Sequence, residues 1–114
     1  MARELLHQRL IAWHVALELI DAVRAANIVD AGLRDQAMRA AKSAALNTAE
    51  AAGRCSPKDK ARVFMIARGE ASEAAAAVEI AVRSGDARAD ALPRTLAAAD
   101  RLVALLTGLA RRGP

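Results

Sequence analysis

The chain has 114 residues and a formal net charge of +4, and it is 54% hydrophobic but only 2% aromatic. A chain of this length is expected to form one domain, which we place at residues 1–114. Alanine, the strongest helix former, supplies much of the apolar content, so the composition argues against a β-rich fold.

The chain also lacks the features of exported and membrane proteins. No apolar run reaches the ~18 residues that a membrane-spanning helix needs, so no membrane partner is expected. The single cysteine, Cys55, excludes an intramolecular disulfide. The first residues lack the uninterrupted apolar segment of a signal peptide. Together these features predict a cytoplasmic protein.

The first helix is predicted over residues 4–27, because apolar residues recur there at spacings of three and four. The predicted core stripe consists of Leu6, Leu10, Trp13, Leu17 and Ile20. A second apolar stripe beside it consists of Leu5, Ala12, Ala16, Leu19 and Val23. Two stripes indicate that the helix is buried on more than one side.

The second helix is predicted over residues 33–52, after a break marked by Asp30 and Gly32. Its core face is narrow and mostly small, consisting of Leu33, Ala37, Ala44 and Ala51. We predict that Gly53 caps its carboxyl end, since glycine is the commonest residue to end a helix in the left-handed conformation.

The third helix has the clearest start signal in the chain. Ser56 is predicted as the N-cap, Pro57 as the first helical residue, and Asp59 as the acid of a variant capping box. The helix is predicted to reach residue 84, with a core stripe of Phe64, Ala67, Ala71, Ala74, Val78 and Ala81. A second face carries Ile66, Gly69, Glu73, Ala77 and Ile80.

The fourth helix is predicted over residues 90–112, with Pro93 in its first turn. Its predicted core stripe is Leu92, Leu96, Ala99, Val103, Leu106 and Ala110. Short connections place successive helices antiparallel to one another, so the chain is expected to form an all-α, antiparallel, up-down-up-down four-helix bundle.

Residues in all of the first three helices resemble one bacterial family. They are Trp13, Ala16, Leu17, Gln36, Arg39, Ala40, Ser43, Asn47, Ala49, Glu50, Gly53, Arg54, Ser56, Lys58, Ile66, Ala67, Gly69 and Glu73. This set resembles the four-helix-bundle proteins encoded in intervening sequences of large-subunit ribosomal RNA genes. The chain departs from that pattern at Ala51, where the family usually has glycine, and at Glu70, where it usually has serine.

The resemblance implies a homopentamer with its subunits arranged as a barrel. With the second apolar faces of the first and third helices, it suggests that Leu19, Val23, Ile66, Ala77 and Ile80 line the subunit interface. A more distant bundle family with a similar assembly assists the reverse transcriptases of diversity-generating retroelements and binds nucleic acid through a basic surface.

A polar arc lies on the second helix. Gln36, Arg39, Ser43, Asn47 and Glu50 fall within about 80° of one another on an ideal helix. We interpret the arc as a hydrogen-bonded structural seam, within or between subunits, with Glu73 as a candidate partner. The alternative is a solvated helix face.

Residues 34–68 hold eight basic and three acidic residues. Acid-before-base pairs four residues apart, at 35/39, 50/54, 79/83 and 90/94, account for several arginines as helical ion pairs. Candidate contacts to DNA or RNA are Arg34, Lys42, Arg54, Lys58, Lys60, Arg62 and Arg68. Because both Trp13 and Phe64 are expected in the core, binding is predicted at phosphates and not by stacking on bases.

No catalytic motif, metal-ligand pattern or cofactor-binding loop is recognisable, so we expect neither an enzyme nor a cofactor. His7 and His14 lie seven residues apart without a nearby ligand pattern. Two functions remain open. One is a non-enzymatic oligomeric scaffold that engages nucleic acid or a nucleic-acid enzyme. The other is a structural assembly of proteins with no nucleic-acid role.

Overall fold

A computed structural model describes residues 3–112, which contain four α-helices and no strand. The helices are α1 (Ile11–Ala26), α2 (Ala31–Gly53), α3 (Pro57–Arg83) and α4 (Ala91–Arg111), and a short 3-10 turn, Leu6–Arg9, precedes α1. In the bundle, α1 and α3 each pack against both α2 and α4, and only marginally against each other. The all-α, four-helix prediction is confirmed, although the ends of the predicted domain, residues 1, 2, 113 and 114, lie outside the described residues.

Side-chain caps start two of the helices. The Asp30 carboxylate accepts a hydrogen bond of 2.9 Å from the Leu33 N–H at the start of α2. Ser56 Oγ accepts one of 3.2 Å from the Asp59 N–H, and Pro57 is the first residue of α3, which confirms the predicted N-cap and first helical residue. The predicted capping box is not formed, because the Asp59 carboxylate accepts from Arg54 and Arg62 and not from the Ser56 N–H. Each cap satisfies one of the amide donors that the first turn of a helix leaves free.

The predicted glycine cap on α2 is wrong. Gly53 is the last helical residue, and the chain then leaves the helix at Arg54, whose backbone is extended at φ −73° and ψ 147°. An exit of this kind needs no left-handed residue. Among the described glycines a positive φ occurs only at Gly85, at 81°, where the chain turns after α3.

Alanine fills the centre of the bundle where α2 meets α3. The whole predicted core stripe of α3 is buried, as are Ala37, Ala44 and Ala51 of α2. Methyl side chains let two helix axes approach closely, since the distance between packed helices depends on the side chains at the contact. The core stripe of α3 was therefore predicted correctly. On α2, Leu33 is only half-buried, and the prediction missed five buried residues: Ala40, Ala41, Ala45, Thr48 and Ala52.

The core face of α1 was predicted wrongly. The buried residues are Ala12, Val15, Ala16, Leu19, Ala22, Val23 and Ala26, which overlap the second predicted stripe. In the first stripe, Leu6 is 60% exposed and Leu17 is 38% exposed, whereas its other three residues are half-buried and pack against the edge of the core. The buried face carries the alanines, so α1 approaches its alanine-rich neighbours through its smaller side chains.

The start of α1 also differs from the prediction. Leu10 is extended at φ −85° and ψ 129°, so the 3-10 turn and α1 are separate elements and not one helix. The turn packs against α2, and the His7 ring meets the Trp13 ring edge-on at a centroid distance of 4.5 Å. The His14 ring Nε2–H donates to the Gln8 carbonyl oxygen at 2.9 Å. These contacts hold the turn beside the bundle.

In α4 the predicted stripe is partly correct. Ala99 and Leu106 are buried, but Leu96 is 40% exposed. The sequence reading missed Leu102 and Thr95, both fully buried. Burial of Thr95 is possible because its hydroxyl donates to the Ala91 carbonyl oxygen at 3.0 Å, within the same helix.

Candidate functional site

The five predicted interface residues divide into two groups. Leu19, Val23 and Ala77 are only 0%, 4% and 3% exposed, because each packs into the core of its own subunit. Their assignment to a subunit interface is wrong, since a buried side chain cannot reach a neighbour. Ile66 and Ile80 are 43% and 54% exposed on α3 and stay candidates.

Two further large apolar side chains were missed on the surface of α2 and α3. Leu46 is 68% exposed and Met65 is 42% exposed. Leu46 follows Ser43 by three residues, so it lies next to the polar arc and away from the alanine face. The sequence signal for an exposed Leu46 was its position on the polar side of α2, opposite the alanine face.

The middle of the polar arc is bonded within α2. Asn47 Nδ2 donates to the Ser43 carbonyl oxygen at 2.9 Å and to Ser43 Oγ at 3.1 Å. Both side chains are half-buried, whereas Gln36, Arg39 and Glu50 are exposed. The Ser43–Asn47 pair therefore joins one turn of a helix to the next and does not join two helices.

At the beginning of the arc, the structure brings α2 and α3 together around an open cleft of about 410 Å³. Gln36, Arg39 and Asp35 line it from α2, and Glu70 and Glu73 line it from α3. Among the described residues, Arg39 and Glu73 form neither a hydrogen bond nor an ion pair with each other. Glu70, which the sequence reading had not selected, adds a second carboxylate beside Glu73.

At the end of the arc, Glu50 joins an ion-pair network around the turn between α2 and α3. The Arg54 guanidinium binds Glu50 and reaches Asp59 at 3.2 Å. The Arg62 side chain binds the other oxygen of Asp59, at 2.8 Å from Nη2 and 3.1 Å from Nε. Asp59 is thus the centre of the network, a role that its spacing of three residues from Arg62 could have indicated.

The network shifts two pKa values. The hydrogen bond to Glu50, together with the charges of Asp59 and Glu50, raises the pKa of Arg54. The hydrogen bond from Arg62, together with the charge of Arg54, lowers the pKa of the Asp59 carboxyl. The turn is therefore held by ionised partners, but all of them lie at the surface.

Of the four ion pairs predicted at a spacing of four residues, only Glu50–Arg54 is present among residues 3–112. Asp90 pairs with Arg88 at 3.4 Å and not with Arg94. Across helices, Arg101 of α4 approaches Glu18 of α1 at 3.9 Å. Exposed pairs of this kind have little preference for one partner, because water competes for each charge.

The seven predicted nucleic-acid contacts do not form one patch. Arg54, Lys58, Lys60 and Arg62 gather at the turn between α2 and α3, but Arg34 lies near the other end of α2, roughly 30 Å away along an ideal helix. Arg34 Nη1 donates to the Ile28 carbonyl oxygen at 3.3 Å. Lys42 and Arg68 lie in the middles of α2 and α3.

Even at the turn, most of the positive charge is engaged. Arg54 and Arg62 hold Asp59, and Lys60 Nζ donates to the Ala52 carbonyl oxygen at 3.0 Å, at the carboxyl end of α2. A lysine there satisfies a free carbonyl group and opposes the negative end of the helix dipole. In the described part of the chain, Lys58 has no recorded hydrogen bond or ion pair.

The aromatic side chains only partly follow the prediction. Phe64 is buried at 5% exposure, but Trp13 is half-buried: it packs against the core and also meets the His7 ring. Trp13 therefore lies at the edge of the core and not fully inside it. Residues 3–112 contain no group of three or more His, Cys, Asp or Glu side chains that could hold a metal ion.

Comparison with known proteins finds one family. Residues 8–108 match the family described as 23S rRNA-intervening sequence protein, and the match runs from the end of the 3-10 turn through α1, α2 and α3 to most of α4. No curated protein matches the chain. Because the match covers most of the chain, this small helical protein belongs to the 23S rRNA-intervening sequence protein family.

Proposed function

We propose that the protein is a non-enzymatic, homo-oligomeric scaffold, assembled as a pentamer of antiparallel four-helix bundles. The observation that carries the proposal is the set of large apolar side chains exposed on α2 and α3. Leu46, Met65, Ile66 and Ile80 are each between 42% and 68% exposed, while the core beneath them is mostly alanine. Large apolar side chains left exposed on two adjacent helices are candidates for contacts with another chain.

Two contacts support the antiparallel arrangement of α2 and α3. Arg54, just after the end of α2, binds Asp59 in the first turn of α3. Arg39, in the first half of α2, lines the same cleft as Glu73, which lies much further along α3. The two helices therefore approach each other in opposite order. The pentamer is proposed from the family resemblance and from the exposed apolar faces.

A structural role for the polar arc supports the non-enzymatic part of the proposal. Asn47 is bonded to Ser43, and Glu50 is bonded to Arg54. The two side chains that could act as polar groups in a reaction, Asn47 and Glu50, are thus bonded within a helix and at a turn. The other members of the arc, Gln36 and Arg39, line an open cleft whose walls carry three carboxylates, those of Asp35, Glu70 and Glu73.

Native mass spectrometry at micromolar concentration tests the scaffold. We expect a single species of five chains. A monomer alone would contradict the scaffold, whereas a dimer or tetramer would contradict only the pentamer. The same samples give circular dichroism melts, which show that each species is folded.

A second candidate function is the binding of DNA or RNA by the protein, with the phosphate groups contacting the turn between α2 and α3. The net charge of the turn is +2, from four basic side chains (Arg54, Lys58, Lys60 and Arg62) and two acidic ones (Glu50 and Asp59). Lys58 is exposed in the first turn of α3, where the helix dipole also favours an anion. Five copies in a pentamer would add their weak contacts through avidity.

Fluorescence anisotropy with duplex DNA and with structured RNA tests this second function. We expect weak binding at low salt that falls steeply between about 50 and 200 mM salt, since phosphate contacts release counterions. Lys58→Glu should weaken binding, because Lys58 is the basic residue of the turn that forms no hydrogen bond or ion pair among residues 3–112. Arg83→Glu is the matched control, with the same charge change on an exposed residue at the other end of α3.

Three results decide between the two functions. Binding that falls with Lys58→Glu and not with the control supports the nucleic-acid role. An equal loss in both variants points to net charge alone and contradicts a site at the turn. No binding to either duplex at low salt leaves the scaffold as an assembly of proteins only.

A further inference from the structure

A hollow of about 400 Å³ opens at the surface where α3 begins. Ser56, Lys58, Asp59 and Arg62 line it. Lys58 and Arg62 are both exposed, so two positive charges border the hollow, while Asp59 adds one negative charge. The hollow belongs to the turn between α2 and α3, where contacts with phosphate groups are proposed above.

The two cations of the hollow differ in what they bind. Lys58 forms no hydrogen bond or ion pair in the part of the chain that the structure describes. The Arg62 guanidinium, in contrast, is turned onto the carboxylate of Asp59. It donates to Asp59 Oδ1 from Nε at 3.1 Å and from Nη2 at 2.8 Å. Arg62 is therefore occupied by a neighbour on its own helix, and Lys58 is not.

Arg54 fixes Asp59 in this position. Its Nη1 donates to the other carboxylate oxygen, Asp59 Oδ2, at 3.2 Å. Arg54 is itself bound to Glu50, four residues earlier on α2. A chain of ion pairs thus runs from Glu50 through Arg54 and Asp59 to Arg62. It ends on the arginine that lines the hollow.

Capping of α3 does not explain the Asp59 carboxylate. The N-cap contact uses the Ser56 hydroxyl and the backbone N–H of Asp59. Among residues 3–112, the carboxylate itself accepts hydrogen bonds from Arg54 and Arg62 and from no other group. Its main effect on its surroundings is therefore to engage arginines.

A phosphate group would compete with Asp59 for Arg62. A guanidinium offers the same fork of N–H donors to a carboxylate and to a phosphate, so the two anions use the same face of the arginine. The negative charge of Asp59 also repels a phosphate that enters the hollow, because like charges in contact oppose binding. Exposed ion pairs are weak, which makes the displacement of Asp59 by a polyanion reversible.

We propose that Asp59 is an autoinhibitory residue of the turn: it holds Arg62 away from ligands, and a phosphate group of DNA or RNA must displace it to bind in the hollow. This inference rests on the second candidate function, nucleic-acid binding at the turn, and names the residue that limits it. The wild type then contacts phosphate mainly through Lys58. Without the Asp59 charge, Lys58 and Arg62 bind phosphate together.

Asp59→Asn tests the proposal, because it removes the charge and keeps the size of the side chain. We expect it to bind duplex DNA and structured RNA about tenfold more tightly than the wild type at 50 mM salt, the gain that one added phosphate contact gives through counterion release. Fluorescence anisotropy measures both affinities. Circular dichroism melts at neutral pH establish that the variant is folded.

Asp21→Asn is the matched control. Asp21 also holds an arginine three residues later on its helix, Arg24, at 2.9 Å. The substitution makes the same change in net charge and releases one arginine, but near the carboxyl end of α1, which leads into the start of α2. We expect a much smaller gain in affinity. Equal gains in the two variants overturn the proposal, because net charge alone would then account for them.

The salt dependence gives a second readout. A plot of log affinity against log salt should be steeper by about one for Asp59→Asn than for the wild type, since one more phosphate is contacted. The slope for Asp21→Asn should equal that of the wild type. An unchanged slope for Asp59→Asn contradicts the release of Arg62 to the ligand.

Two double variants remove the effect of net charge, because each loses one negative and one positive charge and keeps the formal +4 of the wild type. Asp59→Asn/Arg62→Gln lacks the released arginine and should lose the gain in affinity. Asp59→Asn/Arg24→Gln lacks an arginine elsewhere and should keep it. Loss of the gain in both double variants, or in neither, overturns the proposal.

Failure of this inference is distinguishable from failure of the nucleic-acid function. If the wild type binds and Lys58→Glu weakens binding, but Asp59→Asn behaves like Asp21→Asn, only the autoinhibition fails. If neither the wild type nor Asp59→Asn binds DNA or RNA at low salt, both fail. Binding by Asp59→Asn under conditions in which the wild type and Asp21→Asn show none supports the inference.

Discussion

α1 and α3 present the same pattern in sequence, two apolar stripes side by side, but the fold uses the stripes differently. On α3 the stripe of Phe64, alanines and Val78 enters the core, as predicted, and the face with Ile66 and Ile80 stays outside. On α1 the stripe of large residues is only partly covered, at the edge of the core, and the stripe rich in alanine enters the core. The comparison teaches that close helix packing here selects small side chains over large ones.

The largest expected effect comes from comparing two leucines on the same helix, α1. Leu19 is fully buried and Leu17 is 38% exposed, although they lie only two residues apart. Leu19→Ala should lower the free energy of unfolding by about 2–5 kcal/mol, because it leaves a cavity in the core. Leu17→Ala should lower it by less than about 1 kcal/mol. Urea unfolding of both variants at a concentration where they are monomeric gives the difference, and equal losses would contradict the observed core face of α1.

Close packing on α3 predicts a cost for added volume. Ala71 is fully buried against the neighbouring helices, whereas Ala76 on the same helix is exposed. Ala71→Leu should cost about 1–3 kcal/mol of unfolding free energy, because the core has no room for three more carbon atoms. Ala76→Leu makes the same chemical change and should be close to neutral in the monomer, so urea unfolding of both variants isolates the packing cost. A neutral Ala71→Leu would show that the alanine core is looser than the structure indicates.

The start of α3 is expected to contribute less than the core. Ser56→Ala removes the oxygen that accepts the Asp59 N–H and should cost about 1 kcal/mol, the usual contribution of an N-cap. Ser84→Ala is the control, because Ser84 lies at the other end of the same helix, where its backbone N–H and not its hydroxyl is bonded to the Ile80 carbonyl. Thermal melts that shift equally for both variants would argue against the cap.

The smallest expected effect concerns the pH dependence of the exposed network around Asp59. Arg62 and Arg54 lower the folded-state pKa of the Asp59 carboxyl. Asp59 therefore stabilises the fold at pH values above its unfolded-state pKa of about 3.9, and this stabilisation is lost as the pH falls through the folded-state pKa. Asp59→Asn should therefore reduce the loss of stability below about pH 4 and leave the fold intact at neutral pH. Urea unfolding at several pH values between acidic and neutral measures the free energy of unfolding of both proteins.

For that experiment, Asp21→Asn is the matched control. Asp21 also holds an arginine three residues away, with an Asp21–Arg24 distance of 2.9 Å, but it has a single partner where Asp59 has two. Both partners of Asp59 favour its ionised form, whereas Asp21 has one exposed ion pair, which usually contributes little. Acid sensitivity that is identical in the wild type and in Asp59→Asn would show that the network does not couple folding to pH.

Much of the fold was readable from the sequence, and the reasons are local. The Ser56 cap and Pro57 at the start of α3 were predicted correctly, because a cap depends on residues within one turn. Four helices and the absence of strands among residues 3–112 followed from alanine content and periodicity. The family motifs on α2 and α3 were also recognisable, and the family match extends to residues 8–108.

The candidate sites were less predictable, because they depend on contacts between distant parts of the chain. The seven basic residues looked like one surface in sequence, but Arg34 lies at the opposite end of α2 from Arg54 and is bonded to Ile28. Asp59 was selected only as a capping acid, and its binding of two arginines required the turn to bring Arg54 back toward α3. Composition gives the number of charges, but only the folded chain decides which of them are engaged.

By itself, the sequence determined the helical class, the number of helices, the start of α3 and the alanine faces of α2 and α3, since each follows from intrinsic propensity or from spacing along one helix. Only the tertiary structure decided which stripe of α1 is buried, that Leu19, Val23 and Ala77 belong to the core, and that Trp13 is only half-buried at its edge. The reason is that periodicity identifies apolar faces but not their neighbours. Which face is buried depends on how closely the opposing helices can approach, and in this bundle their alanines favour the face with the smaller side chains.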